Sequence, residues 1–153
     1  MEYQKMLDIA TLFHSLLFAY QKSMKEILGT GDAILFHPVI EAFTKLERGK
    51  GLRISLQKES LDEALTNFSK FLSETGVVKE YAFQKTDQNK YVLKVNGCMW
   101  ATRIHKELKM EDVICPFALM SMAIFQQVTG KKVKVVDSRY NPTGSETMIE
   151  PMS

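Results

Sequence analysis

"KEYAFQKTDQNKYVLKVNG", residues 79–97, decides what kind of fold this chain can have. Upstream, apolar residues recur at helical intervals. Here the interval drops to two. Tyr81 and Phe83 share one side of the first half; Tyr91, Leu93 and Val95 share one side of the second. Alternation puts successive side chains on opposite faces of a strand. Asp87, Gln88 and Asn89 separate the halves, so the stretch predicts a hairpin with strands over 79–86 and 90–97.

Working back from the hairpin, three helices precede it. Met6, Ala10, Phe13, Leu17, Tyr20, Met24 and Ile27 follow alternating steps of four and three, a heptad seam over 2–28. Ile9, Leu12 and Leu16 widen that face, so the helix can line its own core and keep surface for a partner. Gly29 and Gly31 stop it. A second helix is predicted over 32–46, with Pro38 kinking it or delaying its start and "RGKG" ending it. Ser60 and Glu63 form a capping box ahead of a third helix, whose inward positions are Leu61, Ala64, Leu65, Phe68, Phe71 and Leu72. Gly76 closes it.

Beyond the hairpin, a short helix is predicted over 99–108. Asp112 can cap the next helix, and "VICPFALMSMAIF" (113–125) has almost no polar side, which predicts a helix buried nearly all round. Pro116 is tolerable only in its first turn, and Gly130 ends it. "KKVKVVDS" (131–138) and "SETMIEP" (145–151) read as strands joined by "NPTG". Three helices, a hairpin, two helices and a second hairpin argue for an α+β fold, with helices packed on a mainly antiparallel four-stranded sheet. The chain divides into an N-terminal dimerisation helix, 1–28, and a ligand-binding domain, 29–153.

The 153 residues suit a fold with a sizeable core, and the composition (45% hydrophobic, 25% charged) is that of an ordinary soluble protein. A net charge of +2, with lysines and arginines scattered, gives no argument for nucleic acid or an anionic membrane. No signal peptide and no membrane-length apolar run are seen, which predicts a cytoplasmic protein with Cys98 and Cys115 reduced. Nine methionines and nine phenylalanines read either as a soft core or as a pliable apolar pocket.

"NGCMWATRIHKELKMEDVICPFALM" (96–120) gathers both cysteines, one of three histidines and the one tryptophan. Cys98, His105 and Cys115 are candidate metal ligands, and zinc is the ion that thiolate and imidazole select. Glu107, Asp112, His37 or Asp137 can supply a fourth ligand. The spacing C-x6-H-x9-C is not that of a zinc finger, and the plain alternative is two packed thiols and a surface histidine. Cys115 also sits at a helix start, where dipole and free amides lower a thiol pKa; with His105 as base it would be a nucleophile. No oxyanion motif accompanies it, and no residue is assigned as catalytic. Trp100, Phe117, Met120, Ile124 and Phe125 are candidate walls of an apolar ligand cavity, or simply core. His14 reads as a histidine at the core's edge. "GTGD" (29–32) lacks the phosphate-loop pattern.

From Leu28 onward the chain resembles the 4-vinyl reductase-like, or hydrocarbon-binding, domain. The resemblance rests on "LGTGDAILFHPVIEAF", a helix and hairpin, "VNGCMWA", and "TGKKVKVVDSRYNPTGSETMIEP", in that order, and covers about residues 28–151. It is nearest to the compact stand-alone archaeal members of methanogen type. The resemblance implies a fold similar to vesicle-tethering particle subunits, a pocket for a hydrophobic, aromatic or lipid-like molecule, and a homodimer. In phenol-sensing relatives it also implies a structural zinc. Cys98 matches the first ligand of that site and Asp137 stands at the glutamate. Tyr140 and Met148 stand where the last two cysteines would be, with Gly144 between them, so two of four ligands are missing. No nicotinamide or flavin motif accompanies the reductase in the family's name. A small-molecule binding module is the leading expectation. An enzyme (a vinyl reductase or a zinc- or thiol-dependent hydrolase) and a non-catalytic assembly protein are the alternatives.

Overall fold

The structure is a computed structural model, and it describes residues 2–29, 38–39, 41–42, 45–46, 60–86, 89–105 and 113–152. Helix α1 spans Glu2–Leu28, α2 Leu61–Glu74 and α3 Pro116–Thr129. Strands are β1 Glu80–Lys85, β2 Tyr91–Asn96, β3 Val133–Asn141 and β4 Gly144–Pro151. The strand order is β1-β2-β4-β3 and every neighbouring pair is antiparallel. This is the α+β arrangement expected from the change of period, with a long N-terminal helix and a four-stranded antiparallel sheet. Among the described residues no helix is long and apolar enough to cross a membrane.

Register follows from the alternation. Tyr81 pairs with Val95 and Phe83 with Leu93, so both apolar rows of the first hairpin face the same layer. Ile149, Thr147 and Ser145 of β4 continue that layer beside Tyr91, Leu93 and Val95. The opposite face, apart from Val92 and Met148, is largely polar and carries ion pairs, Lys94 with Glu146 at 3.2 Å and Lys134 with Glu150 at 2.6 Å. A bulge between Val135 and Asp137 shifts the β3 register by one residue. The second hairpin is longer than its sequence suggests. β3 runs on through "RYN", and the turn is tightened by Asn141 Oδ1, which accepts from Thr143 N at 2.9 Å. Gly144 cannot be replaced there, because a Cβ would overlap the Val95 carbonyl.

The helices form where their sequence cues lie. Ser60 has extended backbone and its Oγ accepts from Glu63 N at 3.2 Å, the capping contact expected. Gly29 and Gly130 end α1 and α3 at φ +70, each donating its N–H back at 2.9 Å, to Lys25 and Gln126. Pro116 is the first residue of α3, and nine of the helix's fourteen residues are buried. α2 and α3 cover the apolar layer of the sheet, and Phe68, Leu93, Leu119, Ile124, Phe125 and Ile149 fill the space between. Instead of a helix over 99–108, the described part is a single π-turn at Ala101–His105; residues 106–112 lie outside the described residues. The described positions at 38–39, 41–42 and 45–46 are helical, while "RGKG" and the rest of 30–59 lie outside them.

Helix α1 presents two apolar faces. His14, Phe18 and Gln21 are buried against the body, and Phe18 belongs to the common core. Gln21 makes a two-point clamp on backbone: Nε2 donates to Ile114 O at 3.1 Å and Oε1 accepts from Ile114 N at 3.0 Å. Asp8 pairs with Arg103 of the π-turn at 3.5 Å. On the far side Met6, Ile9, Phe13, Leu16, Tyr20 and Ile27 are more than half exposed. The seam of the sequence therefore divides. Met6, Phe13, Tyr20 and Ile27 stay outside with Ile9 and Leu16, whereas Ala10, Leu17 and Met24 turn toward the body and are half-buried.

Candidate functional site

Where α1 crosses the π-turn, six rings meet. His14 stacks on Trp100 (centroids 4.4 Å, planes 19° apart), and Trp100 stacks on Phe117 at 5.9 Å. Phe18 meets His14 edge-on at 4.7 Å and Tyr140 at 5.9 Å. His105 meets the Tyr140 ring edge at 4.8 Å. Each ring reaches this corner for a local reason. Gly97, at φ +64, turns the chain out of β2. Cys98 N then donates to Thr143 O at 2.9 Å, and Met99 N to Val77 O at 3.0 Å, which fixes Trp100 beside the β3–β4 turn. Tyr140 comes from the β3 extension, and the Gln21 clamp holds α1 at the depth where His14 reaches the indole.

The polar atoms of this corner are its unusual feature. His14 Nε2, Trp100 Nε1 and Tyr140 Oη are buried and have no hydrogen-bond partner among the described residues. His14 and Trp100 are each only 8% exposed. Buried polar groups are nearly always paired, because leaving one unpaired costs about 1–3 kcal/mol. Two further such atoms belong to Thr86, after β1, and Gln126, on α3. Burial, with His105 nearby, holds the His14 pKa down to about 4, so the ring is neutral at pH 7. Burial lowers His105 as well, partly offset by its contact with Asn141 O at 3.4 Å.

Both thiols border the same corner. Cys98 and Cys115 are free thiols and buried; burial raises the Tyr140 pKa, and the nearby Cys115 and Cys98 add to the shift. Burial pushes Cys98 up to about 11, with Cys115 adding to the shift. Cys115 is pushed up too, by burial, against hydrogen bonds from Ser145 and the Ala118 and Phe117 amides. The expectation that a helix start lowers this thiol is corrected here: desolvation outweighs the helix amides. Two neutral buried thiols are not the environment of a nucleophile.

The structure thus brings Cys98, Cys115 and His105 around one tyrosine, yet among the described residues no three His, Cys, Asp or Glu side chains stand in metal-holding geometry. Of the carboxylates considered for zinc, Asp137 is half-exposed and bonded to Arg139 at 2.7 Å; Glu107 and Asp112, like His37, lie outside the described residues. The donor set that is described does not fit a zinc centre.

Trp100 and Phe117, two of the expected ligand walls, belong to the ring cluster. Ile124 and Phe125 do not; they are packed under the sheet, where Phe125 meets Tyr91 edge-on at 5.0 Å, and Met120 is half-buried at the core's margin. A shallow cleft of about 270 Å³ lies elsewhere, between α2 and β1, lined by Asp62, Leu65, Thr66, Ser69, Tyr81 and Phe83. Sequence reasoning passed over His14 and Phe18 as site residues and took Tyr140 only as the stand-in for a missing cysteine. The signal for the first two was present: they sit four apart on the side of α1 opposite the Phe13–Leu16 row. No protein-family model and no curated protein matches the chain.

Proposed function

We propose that the protein is a small-molecule binding module of the 4-vinyl reductase-like kind, and that its ligand engages the corner formed by His14, Trp100 and Tyr140. One observation carries the reading: three buried polar atoms without partners among the described residues, on rings linked through Phe18, which meets both Tyr140 and the His14 that stacks on Trp100. Ligand sites of this type are mostly apolar with a few convergent polar groups. Trp100 Nε1 can only donate, Tyr140 Oη donates or accepts, and a neutral His14 Nε2 does either, depending on tautomer. The set suits an apolar or aromatic body bearing an acceptor oxygen, such as a phenolic or carbonyl group. Cys98 and Cys115 would be neutral, polarisable wall atoms. The module would act as a homodimer through α1 and pass its signal to another chain.

Trp100 is the one tryptophan, so intrinsic fluorescence reads the site directly. Titration with a series of phenols, naphthols and medium-chain fatty acids is expected to give a saturable change. At ~100 times its dissociation constant, the best probe should add about 2.7 kcal/mol of stability. His14→Phe, which keeps a ring and removes both nitrogens, should abolish the change without unfolding the protein. No saturable change with any of these probes, and no thermal shift, would count against the reading.

A further inference from the structure

We infer that the outer face of α1 takes a second copy of this chain in an antiparallel coiled coil, with Phe13 against Leu16 at its centre. The inference extends the homodimer reading by fixing direction and register. Met6, Ile9, Phe13, Leu16, Tyr20 and Ile27 are 53–76% exposed and repeat at steps of three and four. These are the a and d positions of a heptad, with Ser23 as the remaining d position. A 27-residue helix is about 40 Å long, and an apolar row running most of that length exceeds what a monomer leaves in water. The described body sits on the opposite side, through His14, Phe18 and Gln21, so among the described residues the row is left uncovered for a helix laid along it.

Charge decides the direction. In the heptad frame Lys5 and Glu26 occupy g positions, both exposed. Run antiparallel with Phe13 facing Leu16 of the partner subunit, Met6 meets Ser23, Ile9 meets Tyr20, and Lys5 falls beside the partner's Glu26 at both ends. Leu12 then meets Ala19. Run parallel, Lys5 lies beside Ala10, and Glu26 faces a position beyond Leu28, where the helix has ended; no opposite charges pair. The charged residues of the first half (Glu2, Lys5, Asp8) sum to −1 and those of the second (Lys22, Lys25, Glu26) to +1, which again favours head against tail. Antiparallel packing also sets the two helix dipoles favourably.

The test combines sedimentation with exchange of charge. The chain is expected to sediment as a dimer at micromolar concentration, and Phe13→Glu, at an exposed position, as a folded monomer by circular dichroism. Lys5→Glu alone and Glu26→Lys alone should each weaken the dimer about tenfold, since two like-charge pairs replace two opposite ones. Mixed together, the two variants should form a heterodimer as tight as the wild type. In oxidative cross-linking, Met6→Cys chains should join to Ser23→Cys chains and not to one another. A wild-type monomer, a Met6→Cys homodimeric cross-link, or charge variants with unchanged affinity would each overturn the inference. Trp100 fluorescence with the phenols reads ligand binding separately, so failure of the dimer and failure of the ligand site are told apart.

Discussion

Two buried tyrosine hydroxyls on the same sheet behave in opposite ways. Tyr81 on β1 lies under α3, and its hydroxyl shares a hydrogen bond with Ser121, which in turn donates to Phe117 O at 2.7 Å. Tyr140 on β3 lies under α1, and its hydroxyl has no partner among the described residues. Both hydroxyls have left water, and only the first has been compensated. Under α2 and α3 apolar side chains interlock and the Tyr81–Ser121 pair is satisfied, with Gln126 Oε1 and Thr86 Oγ1 the exceptions; under α1 three unpaired polar atoms belong to one ring cluster. Three unpaired buried atoms in one ring cluster carry a cost that the described residues do not offset.

The largest expected effect breaks the corner at its hinge. Gln21→Leu removes the clamp on Ile114 and leaves a buried N–H and a buried C=O unpaired, at about 1–3 kcal/mol each. Denaturant unfolding should show a loss of roughly 2–5 kcal/mol, with α1 more exposed to hydrogen exchange while the β1–β2 hairpin keeps its protection. Uniform loss of protection would mean that α1 and the sheet open as one unit.

Next comes pH. Burial holds the His14 pKa in the folded chain to about 4, against 6.5 for an ordinary histidine. Between those values the unfolded chain binds the proton and the folded chain does not, so stability is full above pH 6.5 and falls as pH drops toward 4. The loss approaches 3 kcal/mol, on the order of 1.4 kcal/mol per pKa unit, and His105 acts in the same direction. His14→Phe should flatten this dependence. An equally steep acid loss in that variant would place its origin elsewhere.

The two ends of this one face of the sheet also differ in how well the sequence announces them. The paired end is legible because its signals are local. Alternation at Tyr81 and Phe83, the capping Ser60, and the apolar run with Pro116 at its head each predict their element from a few neighbours. The open end is not, because it is assembled across long separations. His14 meets Trp100 86 positions away, and Tyr140 arrives only because β3 runs past its expected end. The seam on α1 was legible as a period but not as a phase. Ala10, Leu17 and Met24 fit the four-three steps as well as Ile9 and Leu16 do, and only the position of the body decides which row faces out. For Cys115, local reasoning pointed the wrong way, since its helix start is visible in sequence and its burial is not.

The smallest effects are the sharpest test of the contrast. Tyr81→Phe removes one member of a satisfied pair, while Ser121 keeps its bond to Phe117 O; the expected loss is about 1 kcal/mol. Tyr140→Phe removes a hydroxyl that is buried and unpaired, so the folded state gains what that hydroxyl cost, and stability should stay level or rise by roughly 1 kcal/mol. Both changes delete the same atom from the same residue type, so differences in side-chain volume and unfolded-state effects largely cancel. If the corner is a ligand site, Tyr140→Phe should also weaken the best phenolic probe several-fold, with Tyr81→Phe leaving it unchanged. Equal losses of stability from the two substitutions would mean that the Tyr140 hydroxyl is satisfied in solution, by water or by a neighbour, and the case for the corner as a site would then rest on His14 and Trp100 alone.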